Sequence, residues 1–203
     1  MHMTIFDTPV VNTLMRWMSH GVLRARGWRA EGLTPAELGA IPKFVLIAAP
    51  HTSNWDFPIT LMVCFVLRMR VYWMAKASLF AWPLGWLARW LGGIPIDRSA
   101  SHNTVQATID SFARSERLVI VVAPEGTRGK VTHWKTGFYH MAHGAGVPIA
   151  LAYLDYRRKA GGVGRIFHTS GDIGKDMEQI QQFYAGVTGK HSAQFDAAAV
   201  KRR

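Results

Sequence analysis

Hydrophobic positions along this chain fall into two rhythms. Short apolar, β-branched runs at 44–47, 71–75, 118–123 and 148–156 read as buried strands, with shorter strands at 92–98 and 166–170. Between them, apolar residues recur at helical spacing over 8–26, 56–68, 101–115 and 135–144, and a further helix starts near 172–175. The stretch from 28 to 42 reads as a strand followed by a polar connector, and the basic, glycine-rich 157–165 as a turn. Trp82, Trp86 and Trp90 recur four apart and would share one face of a helix, with Pro83 and Gly85 interrupting its start. Strands alternating with helices predict an α/β fold: a single domain with a largely parallel mixed sheet flanked by helices, plus an N-terminal amphipathic helix. The organisation expected is an amphipathic helical segment over 1–27, the α/β domain over 28–186 and a polar tail, open to disorder, over 187–203.

Composition narrows the class. With 203 residues, half of them hydrophobic, the chain has enough material for one well-buried core. A net charge of +11 points to a polyanionic partner: nucleic acid, anionic lipid, a phosphorylated substrate or an acidic carrier protein. Eight Trp residues shift that balance toward a lipid surface, where an indole buries its ring and keeps its N–H wet. The face formed by Val10, Val11, Leu14, Met15, Trp17, Met18, Val22 and Leu23, flanked by Arg16, Arg24 and Arg26, suits an interfacial helix or one packed on the domain. No uncharged apolar stretch reaches the roughly 20 residues needed to cross a bilayer without glycine, proline or histidine intervening. The reading is peripheral attachment at the cytoplasmic face of a membrane. The single cysteine, Cys64, excludes an internal disulfide framework and fits a reducing compartment.

The chemistry collects where strands end. His51 follows the run 44–47 and Pro50, and Asp56 lies five residues on, where a helix begins. An imidazole and a carboxylate so spaced can fold together, the carboxylate accepting from one ring nitrogen and the other nitrogen taking a proton from a substrate hydroxyl. From spacing alone, the better explanation is Asp56 as a helix cap and His51 as a satisfied loop residue. Lys76, Arg98 and Glu125 stand at the ends of three other strands, and in parallel sheets ligands bind beyond the carboxyl ends.

The blocks HTSNWD, MAKASLF, GGIPIDRS, APEGTRG with WKTGF, and GVPIALAYL resemble, in order and spacing, the glycerolipid acyltransferases with an H-x4-D motif. The resemblance covers roughly residues 40–155. It implies transfer of a fatty acyl group from acyl-CoA or acyl carrier protein to a lysophospholipid hydroxyl, foremost that of 1-acylglycerol-3-phosphate. His51 would be the general base and Asp56 its orienting carboxylate, the substrate hydroxyl standing where a hydrolase has its serine. Glu125, Gly126, Thr127 and Arg128 would meet the acceptor headgroup, Arg98 its phosphate, and Lys76 the headgroup or the developing oxyanion. Neither Ser53 nor Cys64 is needed as a nucleophile.

The resemblance implies no metal and no cofactor beyond the donor substrate, and no nucleic-acid module is recognisable. His140 and His143, three apart on a helix, read as structural or headgroup-facing. Two departures stand out: Gly129 replaces the family's frequent serine, and 157–172 aligns to no characterised subgroup. The acceptor is therefore open to other lysolipids, including amino-acid-based ones. A thioesterase using the same His–Asp pair on water is the alternative activity.

Overall fold

The computed structural model describes residues 2–96 and 101–195. Seven strands form one sheet in the order β1-β7-β6-β2-β5-β3-β4. They are β1 (Arg29–Gly32), β2 (Lys43–Ala49), β3 (Tyr72–Lys76), β4 (Gly93–Ile96), β5 (Leu118–Val122), β6 (Ile149–Asp155) and β7 (Ala160–Phe167). All neighbours pair in parallel except β6 and β7, so the sheet is largely parallel and β7 and β1 run against the rest. The helices are α1 (Pro9–Ala25), α2 (Pro35–Ala40), α3 (Asp56–Val66), α4 (Gly85–Trp90), α5 (Ser101–Arg114), α6 (Gly137–Ala145) and α7 (Ile173–Tyr184).

The period-2 alternation of side chains along each strand divides the core into two layers. Val45, Ile47, Ile120, Ile149 and Leu151 face α5, α6 and α7, burying Phe112, Phe138 and Ile180. Phe44, Leu46, Val119, Val121, Ala150 and Leu154 face α3, burying Ile59, Val63, Cys64 and Leu67, with Leu23 of α1 and Leu38 of α2 at the margin. β2 lies between two parallel partners and both its faces are covered, which explains why it reads as a continuous apolar run.

Two sequence expectations change. The glycine-rich stretch is a strand: β7 forms a hairpin with β6, and only 156–159 turn. The glycines read as turn residues because they lack side chains, but here they allow close packing. A Cβ on Gly161 would stand 2.5 Å from Leu154 Cδ2, and one on Gly162 would collide with the Glu31 carbonyl of β1. The tryptophan stripe is also broken. Helix α4 starts only at Gly85, leaving Trp82 in the preceding turn, 92% exposed, while Trp86 is 68% exposed and Trp90 half-buried.

Helix α1 lies against α3 through a narrow strip, Ser19 and Leu23, assisted by Phe6 on Phe65 at 4.9 Å. Its opposite arc (Val10, Leu14, Trp17, Met18, Val22) is exposed. No described helix is long and apolar enough to cross a membrane.

Candidate active site

β2 and β5 are adjacent and parallel, yet the helices that follow them leave on opposite faces, α3 on one and α6 on the other. The loops after the two strands therefore diverge and open a crevice at their carboxyl ends, where open α/β sheets bind ligands. His51 stands in the first loop and Glu125 in the second.

Asp56 is the first residue of α3 and is buried. It does not cap the helix; its Oδ2 instead accepts from the backbone N–H groups of Thr52 and Ser53, at 2.7 and 2.8 Å. The loop thus wraps around the carboxylate and brings His51 Nδ1 to 3.3 Å from the same oxygen. Oδ1 accepts from the Tyr156 hydroxyl at 2.6 Å. Burial by itself would raise the Asp56 carboxyl, but hydrogen bonds from His51, Tyr156 and the Ser53 amide outweigh it and hold the group below its ordinary range. A negative charge at the start of a helix is favoured further by the helix dipole. The His51 side chain is 24% exposed, and its Nε2 has no hydrogen-bond partner among the described residues. The arrangement can hold the ring through Nδ1, support an imidazolium and leave Nε2 for proton transfer.

Glu125 contacts the His51 backbone. Its Oε1 accepts from the His51 backbone N–H at 2.9 Å, and its buried Oε2 has no partner among the described residues. Burial pushes the carboxyl up to about 7 despite the His51 amide. In this structure Glu125 grips the loop that carries the imidazole. Beyond it, Gly126 turns the chain at φ 64°, and Thr127 and Arg128 are exposed at the mouth. Lys76 ends β3, two strand spacings from β2 or roughly 10 Å, and is exposed. Arg98 lies outside the described residues. The Cys64 thiol is sealed in α3 and pushed up to about 12 by burial, far from a useful thiolate.

His140 and His143 sit on α6, where both contact the Tyr139 ring and His143 Nδ1 shares a hydrogen bond with Thr169 at 3.0 Å. Among the described residues no three His, Cys, Asp or Glu side chains gather as a metal set.

Three features at the crevice escaped sequence reasoning. Tyr156 is one; it follows β6, the other neighbour of β2, and the strand-end rule that singled out His51 and Glu125 applies to it equally. Lys135 is the second, its side chain folded over Gly126. The third is 188–195, which runs back across both loops. There the His191 N–H donates to Thr52 Oγ1 at 3.2 Å, Lys190 Nζ lies 5.3 Å from the Trp55 ring centre, and Phe195 packs on the core. With its amide nitrogen turned toward them, Gln194 donates to the carbonyls of Arg128 and Thr52 at 2.8 and 3.1 Å. Polar composition had suggested a tail; one aromatic anchor and several backbone bonds suffice to dock it.

An imidazole oriented by a buried carboxylate at the carboxyl ends of a parallel sheet is suited to proton transfer, and family comparison supplies the class. Residues 36–153 match the family model described as Acyltransferase, and the chain belongs to that family, within the glycerolipid acyltransferases. It is 31% identical over 130 residues to the 1-acyl-sn-glycerol-3-phosphate acyltransferase of Salmonella typhimurium, covering 61% of this chain and 51% of that protein. The protein of the same name from Haemophilus influenzae is 28% identical over 146 residues, covering 68% and 58%. The chain thus spans little more than half the length of the curated relatives it matches. Among solved structures, the 1-acyl-sn-glycerophosphate (LPA) acyltransferase PlsC from Thermotoga maritima superposes with a TM-score of 0.54. It covers 85% of this chain and 76% of that one at 15% identity, a likeness of fold.

Proposed function

We propose that this chain transfers a fatty acyl group from a thioester, acyl-CoA or acyl carrier protein, to the free hydroxyl of 1-acylglycerol-3-phosphate, forming phosphatidic acid. The observation that carries this reading is the Asp56 carboxylate, anchored through both oxygens and set against His51 Nδ1, while Nε2 has no partner among the described residues. The acceptor oxygen attacks the thioester carbonyl carbon as Nε2 takes its proton. The tetrahedral intermediate then expels the thiolate, which recovers that proton from the imidazolium. Asp56 stabilises the imidazolium between the two steps. Lys76 and Arg128, and Arg98 by resemblance, supply positive charge for the acceptor phosphate and the developing oxyanion.

The reading extends to a membrane surface, met peripherally at its cytoplasmic side. The exposed large hydrophobics come from the N-terminal 25 residues, from Trp55, and from Leu79, Trp82, Leu84 and Trp86. All lie on the α1–α3 side or the strand-end rim, and none comes from the described parts of α5, α6 or α7. Phe57 on Trp73 at 4.6 Å and Trp73 on Phe80 at 5.9 Å tie the first turn of α3 to the tryptophan-bearing turn. The cavity behind His51 and Asp56 measures about 30 Å³. That is room for a water and far too little for an acyl chain, and the exposed apolar rim is the surface this reading assigns to the acyl chain.

The test is release of the donor's free thiol, CoA from acyl-CoA or carrier protein from acyl-ACP, by purified wild type and His51→Ala with a panel of lysolipids in anionic vesicles. Release that requires 1-acylglycerol-3-phosphate, vanishes in the variant and accompanies sedimentation with vesicles is the expected result. Acceptor-independent release that still needs His51 would make this a thioesterase. Dependence on another lysolipid would replace the acceptor.

A further inference from the structure

Tyr156 lies just past the stretch matched by the family model, at the end of β6 on the far side of β2 from Glu125. Its hydroxyl donates to Asp56 Oδ1 at 2.6 Å, the oxygen that the loop amides and His51 leave free. Two contacts fix it there, Trp28 standing edge-on to its ring at 5.0 Å and its backbone N–H donating to the Thr188 carbonyl at 2.9 Å, and the residue is half-buried. The residue is therefore held by its own packing and reaches the carboxylate as a preset donor.

A carboxylate held through one oxygen can pivot about its Cβ–Cγ bond, and a pivot of a few tens of degrees would take Oδ2 off the line to His51 Nδ1. Held through both oxygens, it cannot. We propose that Tyr156 is a positioning residue of the acyl-transfer site, locking the rotation of Asp56 so that Oδ2 stays aligned on the imidazole. It also shares the charge of the carboxylate, moderating the pull of Asp56 on an imidazolium proton. The charged and titratable groups bearing on Asp56 are His51 from its own loop, Glu125 from the β5 loop and Tyr156 itself. Burial, followed by the proximity of Asp56, raises the Tyr156 phenol above its ordinary value, so it remains a donor throughout the working range.

Tyr156→Phe removes one oxygen and keeps the ring, the Trp28 contact and the backbone bond. Resting on the acyl-transfer reading, the kinetic expectation is a kcat lower by roughly 10-fold with both KM values nearly unchanged. The acid limb of kcat/KM moves to higher pH, because a carboxylate with one donor fewer favours the imidazolium. The loss disappears in an Asp56→Asn background, where there is no anion left to position. A second readout does not depend on turnover: the downfield proton resonance of His51 Nδ1–H shifts or broadens in Tyr156→Phe while the remaining spectrum holds. Wild-type protein without turnover would sink the acyl-transfer reading and leave the resonance test intact. An unmoved resonance would overturn the role of Tyr156 whatever the kinetics, as would an unchanged kcat and acid limb in an active enzyme.

Discussion

Asp56 and Glu125 are both buried carboxylates, both stand just beyond the end of a parallel strand, and both hold His51. One holds the ring and the other the backbone amide. Their electrostatics nevertheless diverge. Asp56 accepts from two amides and a phenol and faces an imidazole besides, and its carboxyl sits below the ordinary range. Glu125 accepts from the His51 amide through Oε1 alone, keeps Oε2 without a partner among the described residues, and is raised by burial to about 7. Burial acts on both in the same direction, so donor count decides the outcome. The loop after β2 is built to keep an anion anionic, as an imidazolium needs, while the loop after β5 carries a group that changes charge near neutrality.

The sharpest break of this contrast is Asp56→Asn. It preserves size and removes the charge, and its amide turns a donor toward one of the groups that now donate to the carboxylate. Acyl transfer is expected to fall on the order of 10³–10⁴-fold, the scale seen when an orienting aspartate becomes an asparagine. A steady-state kcat within tenfold of wild type would sink the assignment. In stability the sign is also fixed. A depressed carboxyl contributes above its unfolded value near 3.8, and that contribution is lost as pH falls through the lower folded value, so the variant loses the corresponding acid-limb dependence.

Glu125→Gln tests the other half. A carboxyl raised from 4.5 to about 7 favours the fold fully below 4.5 and loses that advantage as pH rises through 7. Glutamine never ionises and still offers an oxygen to the His51 amide. The variant should therefore be more stable than wild type at pH 8, by up to about 3 kcal/mol, with the gap closing toward pH 4.5. Urea denaturation across that range measures it. A difference that is independent of pH would mean that Glu125 is paired and ionised in the fold.

How much of this was legible in the sequence depended on whether the signal is local. The apolar runs of β2, β5 and β6 and the spacing of His51 and Asp56 are local, so the strands are legible, as is a pair that the structure brings to 3.3 Å. The hairpin of β7 was not, because its glycines answer to partners distant in the chain: Leu154 on β6 and Glu31 on β1. The bond from Tyr156 to Asp56 spans 100 residues and carries no spacing signal, though its position at a strand end was available. The resemblance turns Glu125 toward the acceptor headgroup and gives no sign of its bond to the His51 amide. Its contact with the His51 amide depends on β2 and β5 being neighbours, which sequence order conceals because β3, β4 and three helices intervene.

The smallest expected effect comes from the mouth of the same β5 loop. The Arg128 backbone is tied by Gln194, while its exposed guanidinium has no partner among the described residues, so truncation should leave the fold and the His51–Asp56 pair undisturbed. A solvent-facing, charge-assisted bond to a phosphate is worth about 1.5 kcal/mol, or roughly a tenfold change in affinity. Arg128→Ala is therefore expected to raise KM for 1-acylglycerol-3-phosphate about tenfold while kcat changes little. With a lysolipid acceptor lacking the phosphate, the two proteins should behave alike. Equal losses on both acceptors would show Arg128 acting on the vesicle surface or the loop and not on the phosphate. The division between a loop for chemistry and a loop for recognition would then have to be redrawn.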